Sequence, residues 1–212
     1  MRRIFDILLA IVLLIVSAPL ILMAAAGIKL TSRGPIFFRA SRVGLGGIPY
    51  VMLKLRTMHH RPPGDGVITA PNDIRVFYWG WILRNSKIDE LPQLLNIIKG
   101  DMSFVGPRPE DPYIVDKHYT PWMMESLGIR PGITSPGTLF GFVHGGNILD
   151  SDDVDGSYIR DLLPKKLKLD LAYHNKATAL SDIWVVLKTG LVILLCGLRV
   201  PVPELFVTKD VQ

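Results

Sequence analysis

The 212-residue chain holds a single cysteine, Cys196, so it forms no internal disulfide. That excludes a disulfide-stapled secreted scaffold and fits a reducing compartment. Metal-binding cysteine sets are excluded as well. His59 and His60 have no ligand partners at zinc-site spacing and read as loop residues. No Ser/His/Asp arrangement, dinucleotide fingerprint or internal repeat is present. No linker divides the chain after Lys29, so its length fits one domain. Acid is scarce at one end: residues 1–61 carry nine Lys or Arg against Asp6 alone, within a net charge of +5. Such a bias calls for an anionic partner, either nucleic acid, anionic lipid or a phosphorylated substrate.

What the chain has instead is a long apolar run. Of the twenty residues from Ile7 to Ala26, all but Ser17 and Pro19 are apolar and none is charged. The run is long enough to span hydrocarbon. Proline in mid-run removes a backbone hydrogen bond and bends a helix. A helix bent at Ser17-Ala18-Pro19 can enter one leaflet and return to the side it came from. Arg2 and Arg3 precede the run, and Lys29, Arg33, Arg39 and Arg42 follow it. Positive charge on both flanks favours two cytoplasmic ends over a plain span. A cleaved leader is the weaker alternative, although Ala24-Ala25-Ala26 suits a cleavage site. A membrane therefore takes precedence over nucleic acid as the partner.

Gly34-Pro35 marks a turn, followed by strand-like Ile36-Phe37-Phe38 and a bend at Gly44, Gly46 and Gly47. That bend lacks the full phosphate-loop pattern and reads as a surface turn. Alternation over residues 49–58 predicts a strand with Val51, Leu53 and Leu55 inward and Lys54 and Arg56 outward. Two cations on one strand face can hold a diphosphate. Residues 59–73 read as a loop. Phe77, Tyr78, Trp79 and Trp81 suit a membrane interface or a core equally.

In Ser86-Lys87-Ile88-Asp89-Glu90-Leu91-Pro92-Gln93, two carboxylates head a helical pattern. Ile88, Leu91, Leu94, Leu95 and Ile98 form an apolar face; Asp89, Gln93 and Asn96 share another. Gly100 is the expected stop. Pro92 is tolerable only in a first turn, which sets Asp89 and Glu90 at the helix entry. Alone, this is a solvated acidic helix start. Pro107-Arg108-Pro109 then presents an arginine in a stiff loop, suited to bidentate phosphate binding, and Arg130-Pro131 does so again. The glycine-rich run 135–147 holds Phe140, Phe142 and His144 and reads either as backbone open to a base or as plain turns. Residues 150–155 are an acidic surface loop. Residues 162–173 are amphipathic, with Lys165, Lys166 and Lys168 clustered. Ser181 to Gly197 is apolar but carries Asp182 and Lys188, which fits a helix lying in the headgroups. Pro201 and Pro203 open a tail. Adjacent carboxylates can hold Mg²⁺ against substrate phosphates, and one can attack phosphorus.

These motifs together resemble the bacterial sugar transferases of the monotopic phosphoglycosyl transferase family. The resemblance runs through Ser17 and Pro19, Gly34-Pro35-Ile36-Phe37-Phe38-Arg39, Lys54-Leu55-Arg56-Thr57-Met58 and Arg84. It continues through Asp89-Glu90-Leu91-Pro92-Gln93, Asn96, Lys99-Gly100-Asp101-Met102-Ser103, Val105-Gly106-Pro107-Arg108-Pro109 and Arg130-Pro131-Gly132-Ile133-Thr134. Asp170, Tyr173 and Asp182 complete it. It covers nearly the whole chain and is similar to the minimal, catalytic-core members.

The resemblance implies an α+β, mainly helical, membrane-associated fold with short strands and interfacial amphipathic helices. A re-entrant helix over residues 1–28, kinked at Ser17 and Pro19, would lead into a cytoplasmic catalytic domain over 29–200 and a tail over 201–212. The expected reaction moves a sugar-1-phosphate from a UDP-sugar to polyprenyl phosphate at the bacterial inner membrane and releases UMP, the first membrane step of surface glycoconjugate assembly. Asp89 is then the expected nucleophile, forming an aspartyl phosphosugar. Glu90 is its helper, and Mg²⁺ sits with both. Lys54, Arg84 and Arg108 match positions associated with phosphate; Arg56, Gln93 and Arg130 complete the expected substrate-binding set. The partners implied are a UDP-sugar, polyprenyl phosphate and membrane lipid, without nucleic acid and with room for a homo-oligomer. Ser135-Pro136 stands where the family pattern has a glycine, which touches sugar choice, and Phe104 replaces a more usual leucine as a packing change. The alternatives are a membrane-anchored hydrolase of lipid phosphates or nucleotide sugars and a non-catalytic membrane scaffold.

Overall fold

The computed structural model describes residues 2–59, 73–197, 200 and 202. The fold is mixed and mostly helical, with short strands. His60, most of the expected 59–73 loop and nearly all of the expected tail lie outside the described residues.

Helix α1, Arg2–Thr31, runs on through Pro19 and extends past the expected boundary at residue 28. Among the described residues two helices, α1 and α9 (Ala179–Gly197), are long and apolar enough to cross a membrane. Yet α1 holds the rest of the protein at both ends. Ala10 packs with Leu94, Ile97 and Met102, and Ala24 and Ile28 pack with Leu55, Phe77 and Leu83. Between them Ile15, Val16 and Leu22 are about 70% exposed (68%, 71%, 70%). Arg3 donates to the carbonyls of Ile97, Ile98 and Met102. These belong to the end of helix α3, Gln93–Lys99, and the residues just past it, where carbonyls lack intrahelical partners.

β1, Phe37–Val43, and β2, Pro49–Leu55, form an antiparallel hairpin with Phe37 opposite Leu55. The glycine bend is its turn, and Gly46 and Gly47 take positive φ of 68° and 78°, which glycine alone tolerates freely. The inward face of β2 differs from the alternation reading: Met52 and Leu55 are buried and Val51 is exposed. Helix α3 (Gln93–Lys99) causes this by docking along the strand edge. Its Asn96 accepts from Leu53 N at 3.0 Å and donates to Val51 O at 2.8 Å. A side-chain amide thus substitutes for a neighbouring strand and covers the open edge. The face carrying Asp89, Gln93 and Asn96 is therefore buried as well; of the expected apolar face Leu94 is buried and Ile88, Leu91 and Ile98 are half-buried, while Leu95 alone is exposed.

Arg56 is also turned inward. Its Nε donates to Pro35 O at 2.6 Å, and its two terminal nitrogens donate to Ser32 Oγ at 2.8 Å and Ser32 O at 2.9 Å. Its guanidinium lies over the Phe77 ring. The residue is a clamp on the link from α1 to β1 and is not on an outward phosphate face.

Helix α2, Tyr78–Asn85, lies so close to the chain just past β2 that a Cβ at Gly80 would stand 2.1 Å from Thr57 O. Trp79 donates to Ala24 O at 3.2 Å, while Tyr78 and Trp81 stay largely exposed. β3, Ser103–Val105, pairs in parallel with β4, Gly132–Thr134. Helices α4 (Pro112–His118) and α5 (Pro121–Met124) lie between these strands in sequence. The glycine-rich run is helix α6, Pro136–Ile148. Ser135 caps it by accepting from Thr138 N at 2.9 Å, and Pro136 occupies the first turn. Its glycines permit contact with helix α8 (Leu163–His174), where Gly137 approaches Lys166 O. Short α7, Val154–Ser157, runs through a π turn at 158–162 into α8. Helix α9 leaves Trp184, Leu187 and Leu194 exposed.

Arg56→Met should cost about 2–3 kcal/mol, since it leaves the buried carbonyl and hydroxyl of Ser32 without this donor. Arg56→Lys should restore little, because an ammonium lacks the fork. Chemical unfolding of the three proteins in the same detergent checks this.

Candidate active site

Helix α2 ends where Lys87 adopts φ 58°, ψ 15°, the left-handed region normally left to glycine. It is the one non-glycine with positive φ among the described residues. This costs roughly 1–2 kcal/mol. It reverses the chain into a 3-10 turn, Ile88–Glu90, directly ahead of α3. Pro92 stands just before α3, where its missing N–H costs nothing. The acidic pair is therefore at the helix entry, as expected, but buried.

The two carboxylates differ sharply. Glu90 is clasped. Lys54 Nζ donates to its Oε1 at 3.1 Å, and Arg108 donates to Oε1 at 2.6 Å and Oε2 at 3.3 Å. Burial alone would raise its carboxyl, but Arg108 and Lys54 outweigh burial and hold it well below the usual range. Arg108 in turn is raised by Glu90. Asp89 is 6% exposed, and its Oδ1 is buried with no hydrogen-bond partner. Burial, then the neighbouring Glu90, push its carboxyl up to about 6, against the pull of Lys54, Lys87 and Arg84. Arg84 donates to Thr57 Oγ1 at 3.3 Å. Gln93 is buried on the first turn of α3 with Nε2 unpartnered.

Lys54, Arg84 and Arg108 thus meet the pair, while Arg56 is committed elsewhere. Arg130 lines a separate cavity beside α1 and α9. That cavity touches neither carboxylate.

Two groups were not legible in the sequence. Lys87 sits with its ammonium 4.4 Å from the Phe142 ring centroid and acts electrostatically on both carboxylates. No spacing rule announces a left-handed lysine. Behind Arg108, Tyr158 donates to Glu110, and Lys166 donates to Tyr158 OH at 2.7 Å and to Glu110 Oε1 at 3.4 Å. Lys166 is buried and is not part of a solvated lysine cluster. Val43 N donates to Glu110 O at 3.1 Å, and Arg42 pairs with Asp111 at 2.8 Å. The Pro-Arg-Pro loop is thereby fixed from β1 and from α8. Position 110 follows Arg108 by two, which was the one available signal.

A Mg²⁺ fits the residues present in one way. Glu90 oxygens already receive cationic donors, so Asp89 would be the protein carboxylate left to hold the ion. Mg²⁺ is commonly held by one or two carboxylates plus substrate phosphates. Among the described residues no group of three His, Cys, Asp or Glu could hold a metal alone.

The family model described as bacterial sugar transferase matches residues 1–196. The chain is 40% identical over 192 residues to a UDP-glucose:undecaprenyl-phosphate glucose-1-phosphate transferase of Caulobacter vibrioides, covering 89% of this chain and 67% of that protein. It is 36% identical over 191 residues to a UDP-N-acetylgalactosamine-undecaprenyl-phosphate N-acetylgalactosaminephosphotransferase of Aeromonas hydrophila, covering 89% of this chain and 42% of that protein. It is 33% identical to an uncharacterized sugar transferase, EpsL, of Bacillus subtilis, with 89% and 85% covered. The chain thus spans two thirds or less of the first two relatives and most of the third. With the family pattern extending over nearly all of its length, the chain belongs to the bacterial sugar transferase family.

Proposed function

We propose that the protein transfers a sugar-1-phosphate from a UDP-sugar to polyprenyl phosphate, with UMP as the leaving group. The observation that carries this reading is the unpartnered Asp89 oxygen beside a fully clasped Glu90. A nucleophile needs a free lone pair, and Asp89 has one. Its carboxylate attacks the sugar-bearing phosphorus of the UDP-sugar, and the bond from that phosphorus to UMP breaks. The acceptor's phosphate oxygen then attacks the same phosphorus and displaces Asp89. Arg84 and Lys87 stabilise charge on the phosphoryl oxygens. Arg108 and Lys54 keep Glu90 ionised and in position to assist the acceptor. A bound Mg²⁺ would supply further charge neutralisation through Asp89 and the diphosphate. The two substrates are those in the names of the Caulobacter and Aeromonas relatives, taken without choosing the sugar.

The same reading puts the catalytic body on the cytoplasmic face of the bacterial inner membrane. Both ends of α1 grip one body, at Ala10 and at Ile28, while the apolar middle stays uncovered. A plain span would carry one end about 30 Å away. This favours a re-entrant helix, with α9 lying at the interface.

UDP-sugar with Mg²⁺ and no lipid should release up to one equivalent of UMP and leave phosphosugar on Asp89, seen by intact mass; Asp89→Asn should give neither. Continuous UMP release without any lipid would instead mark a hydrolase. Adduct formation needs the Asp89 carboxylate, so its rate should fall about tenfold per pH unit below about pH 6 and level off above it. A rate that stays flat down to pH 4.5 would remove Asp89 from the role.

The two carboxylates should also separate in stability. The raised Asp89 opposes folding when ionised, so Asp89→Asn should raise the melting midpoint at pH 7.5. Glu90 is depressed, so its contribution is present above the ordinary Glu range and lost as pH falls through its folded value. Glu90→Gln should lower stability by about 2–4 kcal/mol, below the full buried-pair value because Arg108 keeps 27% of its side chain exposed.

A further inference from the structure

Helix α6 reaches the reactive turn through one aromatic ring. Gly137, Gly141 and Gly145 recur at four-residue spacing and share a helix face. A Cβ at these positions would meet Lys166 O at 2.4 Å, Lys166 Cδ at 3.7 Å and Leu162 Cδ2 at 3.6 Å, respectively. That face seats α6 on α8 and on the turn before it. Phe142 follows Gly141 by one residue, so it stands about 100° around the helix from it. It shares a side with Leu139, three residues earlier, and both pack with Tyr173 of α8 and with Val185 and Val192 of α9. The ring is thereby fixed by three helices. Over its face lies the Lys87 ammonium, 4.4 Å from the centroid.

The cations around the acidic pair differ in their commitments. Lys54 and Arg108 clasp Glu90, and Arg84 donates to Thr57 Oγ1. The Lys87 ammonium makes no hydrogen bond or ion pair with a described residue. Glu90 and Asp89 attract it, while Arg108 and Arg84 repel it. A lysine stem is flexible, so an ammonium in such a mixed field needs an anchor to keep one place. The negative face of an aromatic ring attracts an ammonium without consuming any of its N–H donors. Lys87 is held at its root by the left-handed turn and at its tip by Phe142.

We propose that Phe142 is a positioning residue for phosphoryl transfer: its ring holds the Lys87 ammonium beside the acidic pair with its donors free for the oxygens of the transferred group. The step it serves rests on the transferase reading above; the contact between ring and ammonium does not. Glycine-rich α6 thus acts on the reaction without carrying a group that touches the reacting atoms.

The test replaces Phe142 with phenylalanines bearing one, two, three or five ring fluorines, which drain the negative charge of the ring face and nearly keep its shape. This keeps the test valid where a cruder variant misfolds. Two readouts are taken on the full chain in detergent. Without substrate, acylation of Lys87 by an amine-reactive reagent, followed by mass spectrometry, should quicken with each fluorine while acylation of Lys54 stays constant. With UDP-sugar and Mg²⁺, the rate constant for the Asp89 adduct should fall stepwise, by about 10-fold for the pentafluoro ring, at an unchanged half-saturating UDP-sugar concentration and melting midpoint. In a Lys87→Met background the fluorines should leave that rate constant unaltered. Constant Lys87 acylation across the series, an adduct rate indifferent to fluorine, the same fall in the Lys87→Met background, or a fall that tracks a dropping melting midpoint would each overturn the proposal. Acylation is read without UDP-sugar, so loss of the contact is distinct from failure of the transferase reading, which the unaltered protein would report by forming no adduct.

Discussion

The grip of Lys54 and Arg108 on Glu90 joins three distant pieces of chain. Lys54 brings strand β2, Glu90 the 3-10 turn, and Arg108 the proline-bounded loop. A carboxylate this buried is costly unless its oxygens are satisfied, so the three pieces must arrive together. The surrounding contacts serve that meeting. Asn96 fixes α3 to the edge of β2, Gly80 lets α2 lie against Thr57, and Glu110, Tyr158 and Lys166 back the Arg108 loop from the far side.

One consequence is the inequality of two neighbouring acids. With Glu90 absorbing the strongest donors, Asp89 is left buried and unsatisfied at Oδ1. The strained backbone of Lys87 belongs to the same arrangement, since it reverses the chain into the buried turn. Unpaired polar atoms and backbone outliers in a protein interior tend to gather at functional sites, where the rest of the structure over-determines them. Here both lie within three residues.

The outer parts of the molecule follow a second constraint, the apolar surface of α1 and α9. Helix α1 uses alanines at positions 10 and 24 to come close to the body and leaves its middle uncovered. Its arginines finish the job at the polar end, where Arg3 satisfies the carbonyls of α3 and Arg2 bridges to Asp182. The two helices are joined at this end, and the cavity whose wall contains Arg130 opens beside them.

The apolar helix, the acidic pair at a helix entry, the stop at Gly100 and the family itself were legible in the residues, because periodicity, proline and glycine act locally. Other features were decided only when the chain folded. Arg56 and Lys166 read as surface cations, yet each ends buried, since only packing tells which carbonyls or acids a long side chain will meet. The glycine-rich run is a helix because contact with α8 and the Ser135 cap outweigh its weak propensity. Choosing between Asp89 and Glu90 needed the arrival of Lys54 from 36 residues away and Arg108 from 18 residues away. Spacing along one segment records which residues are neighbours on it; it carries no record of partners brought by other segments, and it is those partners that set the charge on each acid.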